Sequence, residues 1–302
     1  MKNMRIPLLI AWGVAVVGII FGSFFDFNIS SAIANSRNTF GLLVSAIVPT
    51  IGFAGIAVLG GGFIAFALRG KYPTFLKVIF YVMAAGCLAV AIHFPAGEYF
   101  GVNGFHWIGV PEWVGYFIVI IPECAAMVGG YFLFKDFKNQ NLWIVFLIAI
   151  AILGIALVPA VSGLKAIMHR PRFRYLVTTD EVSFHNWWEP FKEYDEYIAK
   201  VGIGFKDEFK SYPSGHTTEA SILFVPVTFL PLAHEKFKKY QMPLFYASCG
   251  LVVLVAFARI LAAAHFLSDV STGATIMLTL TIIANEVVMR IKALQLDNQA
   301  QE

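Results

Sequence analysis

Long apolar runs separated by short polar turns dominate this chain. They fall at about 7–25, 41–68, 75–95, 114–134, 142–163, 214–233, 243–263 and 266–289. Each is close to the ~20 residues that cross roughly 30 Å of hydrocarbon as an α-helix. The pattern predicts an all-α fold, a polytopic transmembrane helical bundle of about eight spans. The whole chain, 1–302, reads as one integral membrane domain, with no internal repeat and no soluble second domain. The first run follows Lys2 and Arg5. It is long for a signal peptide and no A-x-A-like site follows, so it reads as an uncleaved first span.

Charge fixes an orientation for these spans. With the N-terminus inside, the short inner loops carry Arg69, Lys71 and Lys77, then Lys135 and Lys138, then Lys236, Lys238 and Lys239. The tail, 290–302, carries Arg290 and Lys292 and reads as cytoplasmic. The outer side has Arg37 in one short loop and no Lys or Arg between 96 and 113. This is the positive-inside pattern, so both termini are expected in the cytoplasm and the membrane is expected to be the plasma membrane. The long outer segment 164–213 has eight Lys or Arg, offset by eight Asp or Glu between Asp180 and Glu208. Its Trp187, Trp188, Tyr194 and Tyr197 suit the headgroup level. It fits either a cap at the lipid interface or a solvated loop with a short helix.

Composition agrees. The chain is 58% hydrophobic and 14% charged, against about 45–50% and about 25% in soluble domains. A water-soluble globule and a nucleic-acid binder are excluded as leading readings. Cys87, Cys124 and Cys249 lie far apart inside apolar runs and read as small buried side chains. Gly60-Gly61-Gly62 would let a neighbouring helix come close. His93 reads as interfacial. Glu123, after Pro122 inside the fourth run, is either a functional acid or a protonated or paired structural one.

Three separated segments carry chemistry. The first, past the fifth run, holds Lys165 and Arg172, a point charge and a planar fork that both suit phosphate. The second, Pro213-Ser214-Gly215-His216, reads as a helix start. Ser214 is the N-cap, and free N–H groups there favour an anion. The third holds Arg259, His265 and Asp269. The last two are four residues apart, so a helix would stack them on one face. Asp269 can then accept the Nδ1–H of His265 and leave Nε2 as a nucleophile. A structural His–Asp pair has the same spacing. Arg170, Glu219 and Glu123 are further candidates, and Arg170 competes with Arg172 for the register of the first segment.

These segments resemble the three signature blocks of the type-2 phosphatidate phosphatase superfamily: Lys-x6-Arg-Pro, Pro-Ser-Gly-His and Ser-Arg-x5-His-x3-Asp. That superfamily includes lipid phosphate phosphatases, undecaprenyl pyrophosphate phosphatases, glucose-6-phosphatase and vanadium haloperoxidases. The middle block is complete. Phe173 replaces the Pro of the first and Ala258 the Ser of the third, and every ionisable position is kept. The resemblance implies a six-helix acid-phosphatase-like core. Many relatives have six spans, so eight implies added helices.

By the same resemblance, His265 attacks phosphorus, Asp269 orients it, and His216 protonates the leaving oxygen. Lys165, Arg172, Arg259 and the Ser214–Gly215 backbone bind the phosphoryl oxygens. The implied activity is hydrolysis of a lipid phosphate or diphosphate, of the undecaprenyl diphosphate, phosphatidylglycerol phosphate or phosphatidate type, at an extracytoplasmic site. It needs no metal and no cofactor. A phosphotransferase would use the same residues. A transporter, suggested by the span count and Glu123, would leave the three blocks unexplained. The expected partners are the lipid substrate and membrane lipids.

Overall fold

The computed structural model describes residues 4–100 and 112–291. It is mainly helical, with no strand among the described residues. The helices are α1 (Arg5–Ile33), α2 (Thr39–Arg69), α3 (Thr74–Phe100), α4 (Glu112–Phe134) and α5 (Leu142–Ile155). After α5 a π-helical segment, Ala156–Ser162, leads into α6 (Gly163–Met168). Then follow α7 (Phe173–Leu176), α8 (Tyr194–Val201), α9 (Gly215–Ser221), α10 (Phe224–Ala233), α11 (Lys238–Leu261) and α12 (Leu267–Arg290). Among the described residues, seven helices are long and apolar enough to cross a membrane, and the chain reads as an integral membrane protein.

The predicted span 214–233 is divided into two helices. Pro226, in the first turn of α10, has no N–H for the Ile222 carbonyl, and its ring would clash with it. The chain tightens instead: Ile222 N–H donates to Glu219 O (3.1 Å) and Val225 N–H to Ile222 O (3.0 Å). The two pieces still run the length of α11. Ser214 N–H bonds Asp269 O beyond one end of α11 (3.0 Å). Gln241 Nε2, in its first turn, donates to Thr228 O (2.9 Å).

α2 lies at the centre, buried on most of its sides. Its glycines are what neighbouring helices press against. A methyl at 61 would run into the Met127 carbonyl of α4, and one at 62 into the Phe146 ring of α5. Around them Phe63, Phe66, Phe80, Phe134, Phe137 and Phe146 form an aromatic core. Edge-to-face pairs such as Phe66–Phe146 and Phe134–Phe146 (both 4.8 Å) hold it, each worth about 0.5–1.5 kcal/mol beyond area burial. This core fills one end of the bundle, and the polar residues gather at the other.

α1 is the peripheral counterpart. It runs antiparallel along α12, from Arg5–Glu286 (3.7 Å) through Trp12–Thr279 (2.9 Å) to Ser268 N–H on Asp26 Oδ1 (2.9 Å). Only Leu8, Gly22, Asp26 and Ser30 are fully buried along it; the rest of the face toward α12 is half-buried and the opposite face is exposed. It is longer than the apolar run that predicts it, and the extra turns carry Asp26.

The segment 164–213 is neither a bare loop nor all outside the helices. Residues 164–168 finish the fifth passage as α6. The remainder folds around its own apolar cluster of Tyr175, Val182, Phe191, Ile198 and Phe209. Phe173 and Phe184 pack against Ala263 and Phe266 of the main body. α3 continues through Pro95 to Phe100, where the sequence suggests a turn. Residues 101–111 of the predicted 96–113 loop, and 292–302 of the predicted tail, lie outside the described residues.

Candidate active site

The first block owes its position to a change of helical pitch. Pro159 lacks an N–H and would crowd the carbonyl four residues back in an α-helix. The chain widens to a π-helical turn, where Ser162 Oγ donates to Leu157 O (3.0 Å). Lys165 follows in α6, and His169, in the left-handed region at φ 44°, ends the helix. The extended segment beyond is held by backbone hydrogen bonds: Arg172 N–H to Glu208 O (2.7 Å) and Ser211 N–H to Arg170 O (3.0 Å).

The two arginines then part. Arg170 is fully buried. Its Nη1 donates to Asp269 Oδ1 (2.5 Å) and Ser268 Oγ (2.9 Å), its Nη2 to Asp26 Oδ2 (3.0 Å), and its Nε to His185 O (2.9 Å). Phe266 and Phe184 cover it, with ring centroids 4.3 and 5.3 Å from Cζ. Each of its three nitrogens thus meets a protein oxygen, and the structure places it as an internal cation of the cluster. Arg172 instead lines a cavity of about 610 Å³ together with Lys165, Gly215 and Glu219.

The second block starts α9 as the sequence suggests. Ser214 Oγ accepts from Thr217 N–H (3.4 Å) and Thr217 Oγ1 (3.1 Å). Two glycines allow the close approaches around it. A methyl at 273 would lie 2.5 Å from Ser214 O, so α12 touches the start of α9 directly. A methyl at 215 would lie 3.3 Å from Lys165 Nζ and 3.6 Å from Glu219 Oε1. The first and second blocks therefore meet at Gly215. His216 is buried beside it.

The third block turns the chain between α11 and α12. Arg259 is buried at the end of α11. Ala263 takes a left-handed φ of 54°, a strained conformation for a residue with a Cβ. The Arg174 N–H to Ala263 O bond (2.9 Å) holds it there. His265 Nδ1 lies 2.6 Å from Ser211 O. A carbonyl only accepts, so Nδ1 carries the proton and the Nε2 lone pair is left for chemistry. Asp269 Oδ2 is 3.7 Å from Nδ1. It accepts from Ser211 Oγ (2.6 Å) and Phe266 N–H (2.8 Å) instead. The direct Asp269 to His265 hydrogen bond expected from the i,i+4 spacing is thus replaced by the Ser211 carbonyl, with the carboxylate one layer further back.

Burial, with the Arg259 and Arg172 guanidiniums, holds His265 well below the ordinary histidine range, against the pull of Asp269. At neutral pH the imidazole is uncharged. Glu123 is buried in α4, away from the cavity lining, and His93 is exposed on α3. Neither is brought to this cluster. Among the described residues, no three His, Cys, Asp or Glu side chains gather as a metal site.

Three blocks distant in sequence thus share one end of the bundle. Residues 124–292 match the family model described as the PAP2 superfamily. The chain belongs to that superfamily. It is a phosphatase family, and the match contains all three blocks. Comparison with curated proteins and with solved structures returned no match. Two departures from the PAP2 pattern have local explanations. Phe173 packs edge-on against Phe27 and Phe266 (5.8 and 6.2 Å). Ala258 is fully buried where α11 meets α2: a methyl on Gly41 would lie 2.8 Å from its carbonyl. Asp26, Ser211 and Ser268 also belong to the cluster and were missed from sequence. Asp26 lies outside the matched region, and its one signal is an acid at the edge of an apolar run.

Proposed function

We propose that this protein is a membrane phosphatase that removes phosphate from a lipid phosphate or diphosphate through a phosphohistidine. The observation that carries the reading is the state of His265. It is neutral, with Nδ1–H committed to Ser211 O and Nε2 available. Nε2 attacks phosphorus while the bond to the lipid oxygen breaks, and His216 gives that oxygen a proton. Water then attacks the phosphohistidine, His216 takes the water's proton, and inorganic phosphate leaves. Lys165, Arg172 and Arg259 supply fixed positive charge for the phosphoryl oxygens, as does the Ser214–Gly215 backbone. Phosphoryl transfer relies mainly on such positioning and charge. Asp269 stabilises the imidazole as it gains charge, from behind the Ser211 contact.

The lipid nature of the substrate is supported by the position of the blocks at the ends of apolar helices. The positive-inside pattern supports an extracytoplasmic position for that end and cytoplasmic termini. The mechanism uses no metal. The test is phosphate release from a panel of lipid mono- and diphosphates in detergent with EDTA present. His265→Ala should lower release by at least about 10³-fold and abolish trapping of a phosphoenzyme. Turnover close to wild type in that variant overturns the reading.

A further inference from the structure

Asp26 is the one acid on α1 (Arg5–Ile33), a peripheral helix with few fully buried residues. It is buried and fully engaged. Oδ1 accepts from Ser268 N–H (2.9 Å); Oδ2 accepts from Ser268 Oγ and from Arg170 Nη2 (3.0 Å). Ser268 and Asp269 form the first turn of α12, so the carboxylate also meets the positive end of that helix. Contact here is close: a methyl at Gly22 would lie 2.6 Å from Ser268 N and 2.7 Å from Asp26 Oδ1. One turn away, Ser23 Oγ accepts from Trp187 Nε1 (2.9 Å), which ties the 164–213 segment to the same end of α1.

Arg170 is shared between Asp26 and Asp269, so two carboxylates surround one guanidinium behind His265. Without Asp26, Arg170 would turn wholly to Asp269. The turn that carries Asp269 would also lose its anchor. We propose that Asp26 is a positioning residue for phosphoryl transfer: through Arg170 and Ser268 it holds Asp269 at its station behind the His265 imidazole. The bundle's outermost helix is on this reading part of the catalytic apparatus, although it lies outside the PAP2 match. The proposal rests on the phosphatase reading above.

The experiment compares wild type, Asp26→Asn, Asp269→Asn and the double variant, purified in detergent, on the lipid phosphate that wild type turns over fastest. Asp26→Asn should lower kcat about 10- to 100-fold with KM within about twofold. Added to Asp269→Asn it should cost less than about twofold, because its effect passes through that residue. The groups that face His265 are Asp269, Arg172, Arg259 and the Ser211 carbonyl. Removing a negative charge behind them should move the acid limb of kcat/KM to lower pH. An unchanged kcat in a folded Asp26→Asn, or an equal loss with and without the Asp269 carboxylate, overturns the proposal. If Asp26→Asn does not survive as a monodisperse species, Ser268→Ala decides. It removes the shared hydroxyl, leaves all three charges, and should still lower kcat about fivefold; wild-type kcat there overturns the proposal. No phosphate release by wild type across the panel is instead the failure of the phosphatase reading.

Discussion

Arg170 and Arg172 leave the backbone two residues apart and end in opposite surroundings. Arg170 lies behind His265, with carboxylates, a serine and two aromatic rings filling the space around it. Arg172 lies in front, on the wall of the cavity that also holds Lys165 and Gly215. The residue type is the same, and the partners decide the role. A guanidinium whose nitrogens already meet protein oxygens is a structural rivet. One facing a cavity lined with other cations is placed to meet an anion from outside.

This contrast can be broken by experiment. The largest effect is expected for Arg172→Ala, with kcat/KM down about 10²–10³-fold, or roughly 3–4 kcal/mol of transition-state stabilisation, as for loss of one preorganised donor. Its thermal unfolding should fall less than that of Arg170→Ala, because it removes a side chain on a cavity wall and not the cation between two buried carboxylates. Arg170→Ala should show a second symptom. It strands two buried carboxylates, a change that typically costs about 3–5 kcal/mol of stability, so the detergent-solubilised protein should unfold at markedly lower temperature. Equal unfolding temperatures for the two variants would erase the distinction drawn between them.

A smaller effect sharpens the front side. The folded-state pKa of His265 lies below its unfolded value of about 6.5. The unfolded chain therefore binds the proton first as pH falls. Stability should decline below about pH 6.5, while the imidazole stays neutral and the acid limb of kcat/KM sits lower than 6.5. Arg172→Ala removes one of the cations responsible, so its acid limb should move up. A pH–rate series on both proteins reads this directly. The smallest effect belongs to the exposed Lys200–Glu181 pair (2.8 Å) on the 164–213 segment. Water screens it, and Lys200→Ala should leave both turnover and unfolding temperature unchanged.

Much of this was legible in sequence, for identifiable reasons. Apolar runs announce spans because hydrocarbon tolerates few charges. Each block is compact in sequence, and it is the span count and the resemblance to one family's three signatures that group Lys165, Ser214, His216, Arg259, His265 and Asp269. The break at Ile222–Leu223 was hidden because hydropathy does not register a missing N–H at Pro226. Asp26 was hidden because an acid at the end of an apolar run looks like the edge of a span. Its partners are 144 and 242 residues away. The acceptor on His265 Nδ1 was invisible for a different reason. It is the backbone carbonyl of Ser211, and every residue has one.

The π-helical turn at Ala156–Ser162 has a consequence for the rotational phase of the fifth passage. It accommodates one more residue than a regular helix would over the same rise, a phase difference of about 100°. On one side of it, Leu142, Val145, Phe146, Ala149, Ile152 and Leu153 face the bundle. On the other, Lys165 faces the cavity. Both orientations hold only because that extra residue is present. Deleting a single alanine there would leave every side chain named in this site intact, yet force a choice. Either a greasy face turns inside out, or the lysine swings away from the cavity.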